Sequence, residues 1–188
     1  MIRKPGHIIT AQIDTMPELI PVLNKDTIAR TVAAIAQQIS SDYQGTELVL
    51  IGVLKGAFIF MADLARLLTL EHVQVDFVQL ASYGNDQQSS GQITVLKDVS
   101  TDIEGKDVLV VEDILDTGLT VSFLIKHLEA KNPRSVKTCF LIDKQERRQV
   151  EIKADYVGHQ TDAGFLVGYG LDFAEIYRNL PGIYHLKN

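Results

Sequence analysis

The sequence predicts a single α/β domain with a mainly parallel central sheet. Apolar, β-branched runs of strand length alternate along the chain with helical runs, and polar segments follow several of the apolar runs. No repeat, low-complexity tract or charge block divides the 188 residues. With 46% hydrophobic and 22% charged residues, the chain has the composition of one well-cored domain.

The first predicted elements form a helix, then a strand, a turn and a second helix. Residues 26–39 are predicted to be helical because their apolar side chains recur at helical spacing, and Asn24 is a candidate N-cap. The run 47–54 is too apolar and β-branched for a surface strand, so we expect it to be buried. A turn then leads into a helix at 57–70.

The middle of the chain predicts two strands joined by a polar connection. Residues 73–80 alternate between apolar and polar side chains, as a strand does. Residues 82–92 contain glycine and serine and predict a loop, and residues 93–96 predict a short strand.

The next segment combines a buried strand with a conspicuously polar turn. The continuous apolar run 107–111 predicts a strand, 112–120 a polar turn, 121–130 a helix and 136–142 another buried strand. In open, parallel α/β sheets, ligands bind beyond the carboxyl ends of the strands. We therefore expect functional residues at those ends.

Charge and cysteine content exclude several classes of protein. Eighteen Lys and Arg against 24 Asp and Glu give a net charge of −6, which disfavours non-specific binding to nucleic acid or to a membrane surface. The apolar stretches are far shorter than the roughly 20 residues that span a bilayer, and the N-terminus lacks the apolar core of a secretory signal. The single cysteine, Cys139, lies in a predicted buried strand. We expect a cytoplasmic protein without nucleic-acid or membrane partners.

The polar turn at 112–120 is the most informative segment. Its second half suits a phosphate monoester, because it offers backbone N–H groups, hydroxyl donors and a flexible glycine at a helix N-terminus. The residues of this predicted phosphate cradle are Asp116, Thr117, Gly118, Leu119 and Thr120. It matches neither the Walker A loop nor the Gly-x-Gly-x-x-Gly dinucleotide turn.

Glu112 and Asp113 precede this cradle and predict a different contact. Carboxylates repel a phosphate, so the pair is better matched to sugar hydroxyls or to a Mg²⁺ that those hydroxyls share. A phosphorylated sugar satisfies both halves of the turn. The alternative is purely structural, with Asp116 capping the helix and the two preceding carboxylates solvated.

The whole segment 108–120 resembles the phosphoribosyl pyrophosphate (PRPP) signature of type I phosphoribosyltransferases, and the similarity extends from about residue 48 to 180. Within that family the chain is most similar to the enzymes that act on hypoxanthine, or on hypoxanthine and guanine. The resemblance implies the type I phosphoribosyltransferase fold, with a core at about 25–150 and a small hood formed by about 1–20 and 155–188.

The resemblance assigns further residues to PRPP. Lys55 and Gly56 resemble the pyrophosphate loop, in which a cis peptide precedes the lysine. Ser82 and Tyr83 are similar to the start of a mobile lid that excludes water from the reacting centre. Arg178 matches a pyrophosphate contact.

A second set of residues is implied to bind the purine. Lys144 would contact the exocyclic oxygen at C6, which favours a 6-oxopurine over adenine. Phe165 would stack on the ring, and the backbone of Leu166 would pair with the base edge. Asp172, in the same segment, would ligate a Mg²⁺ that carries pyrophosphate. Leu166 replaces a commoner valine, and residues 161–164 depart from the usual pattern.

The implied reaction is Mg²⁺-dependent transfer of the 5-phosphoribosyl group of PRPP to N9 of hypoxanthine, and also of guanine. The products are IMP or GMP and pyrophosphate, which is purine salvage. Asp116 would accept a proton near N7, and the metal ligands would be Glu112, Asp113 and Asp172.

Two alternatives to that reaction stay open, a PRPP- or nucleotide-sensing regulator of the same fold and a phosphoribosyltransferase for xanthine or adenine. The resemblance also implies a homodimer or homotetramer, with the apolar residues 57–61 contributing to a subunit contact.

Overall fold

The computed structural model describes residues 17–83, 92–162 and 164–187. Its elements in chain order are β1 (Glu18–Leu23), α1 (Lys25–Asp42), β2 (Leu48–Leu54), α2 (Phe58–Leu67), β3 (Val73–Tyr83), β4 (Gln92–Lys97), β5 (Asp107–Leu115), α3 (Leu119–Glu129), β6 (Ser135–Asp143), β7 (Tyr156–Gln160), β8 (Leu166–Val167) and β9 (Ile183–Lys187). As predicted, Asn24 caps α1, because its side chain accepts a hydrogen bond from the Thr27 N–H at 2.9 Å.

The larger sheet is mainly parallel, which confirms the predicted fold class. Its strand order is β4-β3-β2-β5-β6-β7, and only the edge strand β4 runs antiparallel to its neighbour. β2, β5 and β6 lie next to one another in register, with Leu48 opposite Asp107 and Asp107 opposite Ser135. Their carboxyl ends therefore meet at one edge of the sheet.

Helices cover both faces of this sheet. α1 and α2 contribute Ile39 and Phe60 to a core cluster that includes Leu50 of β2. On the opposite face, Leu124 of α3 packs with Val110 of β5. Because the helices occupy the faces, the edge at the carboxyl ends of the strands is left for a site.

A smaller antiparallel sheet of order β1-β9-β8 combines strands from the two segments that are expected to form the hood. Leu23, Leu166 and Ile183 of this sheet belong to the same core cluster as α1 and α2, so the hood packs against the core. β7 falls inside the range expected for the hood, but it pairs in parallel with β6 and belongs to the larger sheet. The hood bounds stay a prediction, and residues 1–16 lie outside the described part of the chain.

Two expectations about local structure need correction. Residues 112–115 were expected to start a turn, but they continue β5, where Glu112 lies opposite Phe140 and Ile114 opposite Ile142. The neighbouring strand supplies hydrogen-bond partners that a run of acidic residues does not reveal. Ala57, Phe60 and Met61 face the core and are at most 1% exposed, so within 57–61 the subunit contact has only Phe58, at 44%, as a large exposed residue.

The predicted burial of the single cysteine is confirmed. Cys139 is fully buried and unpaired. No helix in the described ranges is both long and apolar enough to cross a bilayer.

Candidate active site

A cleft of about 350 Å³ opens at the carboxyl ends of β2, β5 and β6. Most of the predicted site residues line it. These are Lys55, Gly56, Glu112, Asp113, Asp116, Lys144, Phe165, Leu166, Asp172 and Arg178. The sheet edge thus brings the predicted sugar, pyrophosphate and purine contacts into one space.

The predicted phosphate cradle forms the start of α3. Gly118 caps the helix in a left-handed conformation with φ of 82°, and a Cβ there would lie 2.6 Å from the Val150 carbonyl oxygen. The Thr117 carbonyl accepts hydrogen bonds from the N–H groups of Gln149 and Val150, at 2.9 and 3.1 Å. Leu119 and Thr120 lie in the first turn of α3, where backbone N–H groups lack partners within the helix. The Leu119 N–H donates to Thr117 Oγ1 at 3.4 Å. The predicted cradle therefore combines a fixed backbone with the N–H groups of a helix N-terminus.

Asp116 stands between the cradle and the rest of the cleft. Its Oδ1 atom is buried and has no hydrogen-bond partner among the described residues. Its Oδ2 atom lies 3.5 Å from Nη1 of Arg147. A carboxylate with an unused acceptor that lines a cleft is suited to accept a proton from a ligand there.

Glu112 and Asp113 are carboxylates held in an apolar strand end. Burial, with a smaller contribution from Asp113, raises the pKa of Glu112 to about 8. Burial also raises the pKa of Asp113 to about 6, against hydrogen bonds from backbone N–H groups that favour its charged form. Asp113 packs directly on Gly56, where a Cβ would lie 2.1 Å from Asp113 Oδ2. The glycine of the predicted pyrophosphate loop is therefore required by packing.

The pyrophosphate side of the cleft contains two cations in ion pairs. The peptide between Leu54 and Lys55 is cis, and Lys55 Nζ lies 2.9 Å from Glu175 Oε2. Arg178 donates through Nη1 to the Gly170 carbonyl at 2.7 Å and pairs through Nη2 with Asp172 Oδ1 at 2.8 Å. Both cations lie where the sequence predicted contacts with pyrophosphate.

The carboxylates of this site fit a Mg²⁺ ion. Glu112 Oε2 is buried without a hydrogen-bond partner in the described part of the chain, and carboxylate oxygens are ligands that Mg²⁺ prefers. No group of three or more potential ligand residues is clustered for a metal within residues 17–83, 92–162 and 164–187. Mg²⁺ is commonly held by one or two carboxylates together with substrate phosphates and water, so Glu112, Asp113 and Asp172 suffice only with a phosphorylated ligand.

The purine side of the cleft combines a buried cation with an exposed aromatic ring. Lys144 is only 5% exposed, and its Nζ atom donates to the Gly164 carbonyl at 2.9 Å and lies 3.2 Å from Glu146 Oε2. Phe165 is 48% exposed and meets Phe173 edge to face, with 5.6 Å between ring centroids. An exposed ring beside a lysine suits a flat heterocycle that carries a hydrogen-bond acceptor.

The position of Leu166 is set by the hood. It is buried in β8 and paired with His185 of β9. The imidazole of His185 fills the space beside Gly164, where a Cβ would lie 2.3 Å from Nε2. The unusual glycine before Phe165 is thus explained by packing.

Ser82 and Tyr83 are placed by the antiparallel pairing of β3 with β4. They end β3, opposite Ile93 and Gln92 of β4. Residues 84–91, into which the predicted lid continues, lie outside the described residues.

Sequence reasoning missed several residues of the site. Glu175 bridges Lys55 and Arg178, and Glu146 pairs with Lys144. Arg147 reaches the side chain of Asp116. The pair of arginines at 147 and 148, in a polar segment directly after the predicted purine lysine, was the one available signal.

The chain matches the phosphoribosyl transferase domain family over residues 22–174. It therefore belongs to the phosphoribosyltransferases, as the resemblance of its acidic segment indicated.

Proteins of similar sequence show to which group of phosphoribosyltransferases the chain belongs. A hypoxanthine-guanine phosphoribosyltransferase of Aquifex aeolicus is 48% identical over 168 residues, which are 89% of this chain and 94% of the relative. The enzyme of the same name from Bacillus subtilis is 43% identical over 88% of this chain and 92% of its own length. Within the family, the chain groups with the hypoxanthine-guanine phosphoribosyltransferases.

Solved structures agree with this grouping. A hypoxanthine phosphoribosyltransferase from Staphylococcus aureus superposes with a TM-score of 0.87 at 37% identity, over 96% of this chain and 97% of that one. A Trypanosoma cruzi hypoxanthine phosphoribosyltransferase, studied for the role of its C-terminal region in oligomeric state and activity, gives a TM-score of 0.83 at 37% identity, over 97% and 95% of the two chains.

Proposed function

We propose that the chain transfers the 5-phosphoribosyl group of PRPP to N9 of hypoxanthine and of guanine, giving IMP or GMP and pyrophosphate. The observation that carries this proposal is the cleft lined by Asp116, Lys144 and Phe165, because the rest of the predicted phosphate cradle follows Asp116 directly at the start of α3. A nucleoside monophosphate needs this order of contacts, phosphate first, sugar next and base last.

Asp116 is the proposed proton acceptor. As N9 attacks the ribosyl carbon, the purine becomes more acidic, and an acceptor near N7 lowers the barrier. The buried Oδ1 atom is available for this role because it has no other partner among the described residues. Arg147 contacts the other oxygen, Oδ2, at 3.5 Å and so leaves Oδ1 for the ligand.

Lys144 and Phe165 are proposed to select the base. An ammonium group has three donors, of which Gly164 and Glu146 take two in this structure. The third has no partner among the residues that the structure describes and would donate to an oxygen at C6, whereas the amino group of adenine would present hydrogens instead. Phe165 supplies a stacking face, and Phe173 supports that ring from its edge.

Lys55 and Arg178 are proposed to bind the pyrophosphate. They already form ion pairs in the cleft, and the phosphate oxygens would replace or share these partners. Bound Mg²⁺, held by Glu112, Asp113 and Asp172, would supply charge neutralisation for the leaving group. Glu112 and Asp113 would also orient the ribose hydroxyls. Ser82 and Tyr83 are proposed to approach the pyrophosphate and exclude water.

A homodimer or homotetramer is also proposed. The T. cruzi relative was studied for its oligomeric state, and α2 of this chain exposes Phe58 and Leu67, at 44% and 46%. Light scattering should give a mass at least twice that of one chain, and a monomer would contradict the proposal.

Turnover of a panel of bases tests the proposed function. Hypoxanthine, guanine, xanthine and adenine are each incubated with PRPP and Mg²⁺, and pyrophosphate release is measured. We expect turnover with hypoxanthine and guanine and little with adenine. Turnover confined to xanthine or adenine would reassign the substrate, and absence of turnover with every base would favour a regulator of the same fold.

A further inference from the structure

A partly buried arginine lies behind the cleft rather than in it. The Arg148 side chain is 19% exposed and pairs with Asp143, whose side chain is 8% exposed. Arg148 does not line the cleft, unlike its neighbour Arg147. Even partial burial of a guanidinium costs desolvation free energy, which its contacts must offset.

Arg148 binds the ends of two strands at once. Towards β5, its Nε atom donates to the Asp116 carbonyl at 2.9 Å, and its Nη2 atom lies 3.2 Å from the Leu115 carbonyl. Towards β6, the same Nη2 atom lies 2.5 Å from Asp143 Oδ1 and 3.2 Å from the Lys144 carbonyl. One planar group thus connects the backbone of the proposed proton acceptor to the backbone of the proposed purine lysine.

Backbone hydrogen bonds reinforce this connection. The Lys144 N–H donates to the Leu115 carbonyl at 3.0 Å, so that this carbonyl serves both Lys144 and Arg148. Further along, Gln149 and Val150 donate to the Thr117 carbonyl of the cradle. The segment 144–150 is therefore attached to the phosphate cradle along most of its length.

We propose that Arg148 is a positioning residue that couples the phosphate cradle to the purine-binding lysine. This inference rests on the proposed function and adds a property to it. A phosphate bound at the cradle fixes the carbonyls of Leu115 and Asp116, those carbonyls fix the guanidinium, and the guanidinium fixes Lys144. Purine should then bind more tightly once the cradle is filled, and by reciprocity the phosphate should bind more tightly beside a purine.

The coupling is measured directly as a ratio of two dissociation constants. Hypoxanthine binding is titrated by calorimetry with and without saturating ribose 5-phosphate, which fills the cradle but has no leaving group. Couplings between protein sites typically change affinity by roughly 5- to 150-fold, and we expect a ratio in this range for the parent chain. In Arg148→Gln the ratio should fall to nearly 1.

Arg134→Gln is the matched control. Arg134 also bridges β5 and β6, since it donates through Nε to Asp107 Oδ1 at 3.0 Å, but it does so at the opposite end of the strands. We expect it to keep the parental ratio. An unchanged ratio in Arg148→Gln, a parental ratio near 1, or an equal loss in Arg134→Gln would each overturn the proposal.

Two further measurements test the proposal even if the Arg148→Gln variant does not fold. If circular dichroism shows that Arg148→Gln is unfolded, Arg148→Lys keeps the charge beside Asp143 but cannot span both strand ends, and it should also lose the coupling. In the parent chain, ribose 5-phosphate should slow hydrogen exchange in residues 144–150, and unaltered exchange would contradict the proposal. Lack of turnover with every purine would overturn the proposed function itself, whereas turnover without coupling would overturn only the role of Arg148.

Discussion

Replacing Glu112 with glutamine should remove a pH dependence of stability from the metal-free chain. Burial raises the pKa of Glu112 to about 8 in the folded chain, above the ordinary value of 4.5 that applies once the chain unfolds. Between these two values the native state holds a proton that the unfolded state has released. Stability that is present at low pH is therefore lost as the pH rises towards 8.

The size of this loss follows from the two pKa values. Each pH unit in which only the native state is protonated lowers the free energy of unfolding by about 1.4 kcal/mol, and the slope levels off near the folded pKa. Between pH 6 and pH 8, the deprotonation of Glu112 should therefore lower the free energy of unfolding by about 2 kcal/mol. Asp113, whose pKa is raised to about 6, changes the free energy of unfolding mainly below pH 6.

Urea unfolding at pH 6, 7 and 8, with EDTA present, measures the effect. Between pH 6 and pH 8, the free energy of unfolding should fall by about 2 kcal/mol more in the wild-type chain than in Glu112→Gln. Glu129→Gln, an exposed glutamate of α3, is the control and should follow the wild type. Parallel curves for the wild type and Glu112→Gln would show that Glu112 is ionised in the folded chain and would refute the reasoning.

Three further predictions concern the other parts of the cleft. Asp116→Asn should lower kcat by roughly 10²- to 10⁴-fold with little change in the KM for PRPP, because it removes the proton acceptor and leaves the cradle; an unchanged kcat would exclude that role. Lys144→Ala should raise the KM for hypoxanthine roughly 10- to 100-fold and affect PRPP less, and equal effects on both substrates would indicate a structural role. Gly118→Ala should lower the free energy of unfolding by at least about 1 kcal/mol and weaken PRPP binding, because it adds a Cβ at positive φ beside the Val150 carbonyl; wild-type values in urea unfolding and PRPP titration would contradict this.

The sequence predicted the parts of the molecule that depend on local pattern. β2, β5 and β6 are long, apolar and β-branched, so their burial and parallel arrangement could be predicted from composition and spacing. The strand-to-helix junction before α3 could also be predicted, because a glycine there separates the polar end of β5 from a helical run. Both lie at the sheet edge where ligands were expected.

Parts that depend on distant contacts could not be predicted in this way. β8 is two residues long and exists because β9 pairs with it, so no periodicity marks it. The acidic end of β5 has the composition of a turn, and it is a strand because it pairs with β6. Glu175 contacts Lys55 and Arg148 contacts the carbonyl of Asp116, and neither contact is visible from residues that are 120 and 32 positions apart in sequence.

The most direct test of the central claim is the stoichiometry of one reaction. The purified chain is incubated with PRPP, hypoxanthine and Mg²⁺, and IMP and pyrophosphate are quantified together by chromatography. If one cleft joins the phosphate cradle to the purine contacts, the two products should form in equal amounts, and omission of hypoxanthine should abolish both. Pyrophosphate released without IMP, or no reaction at all, would contradict the account.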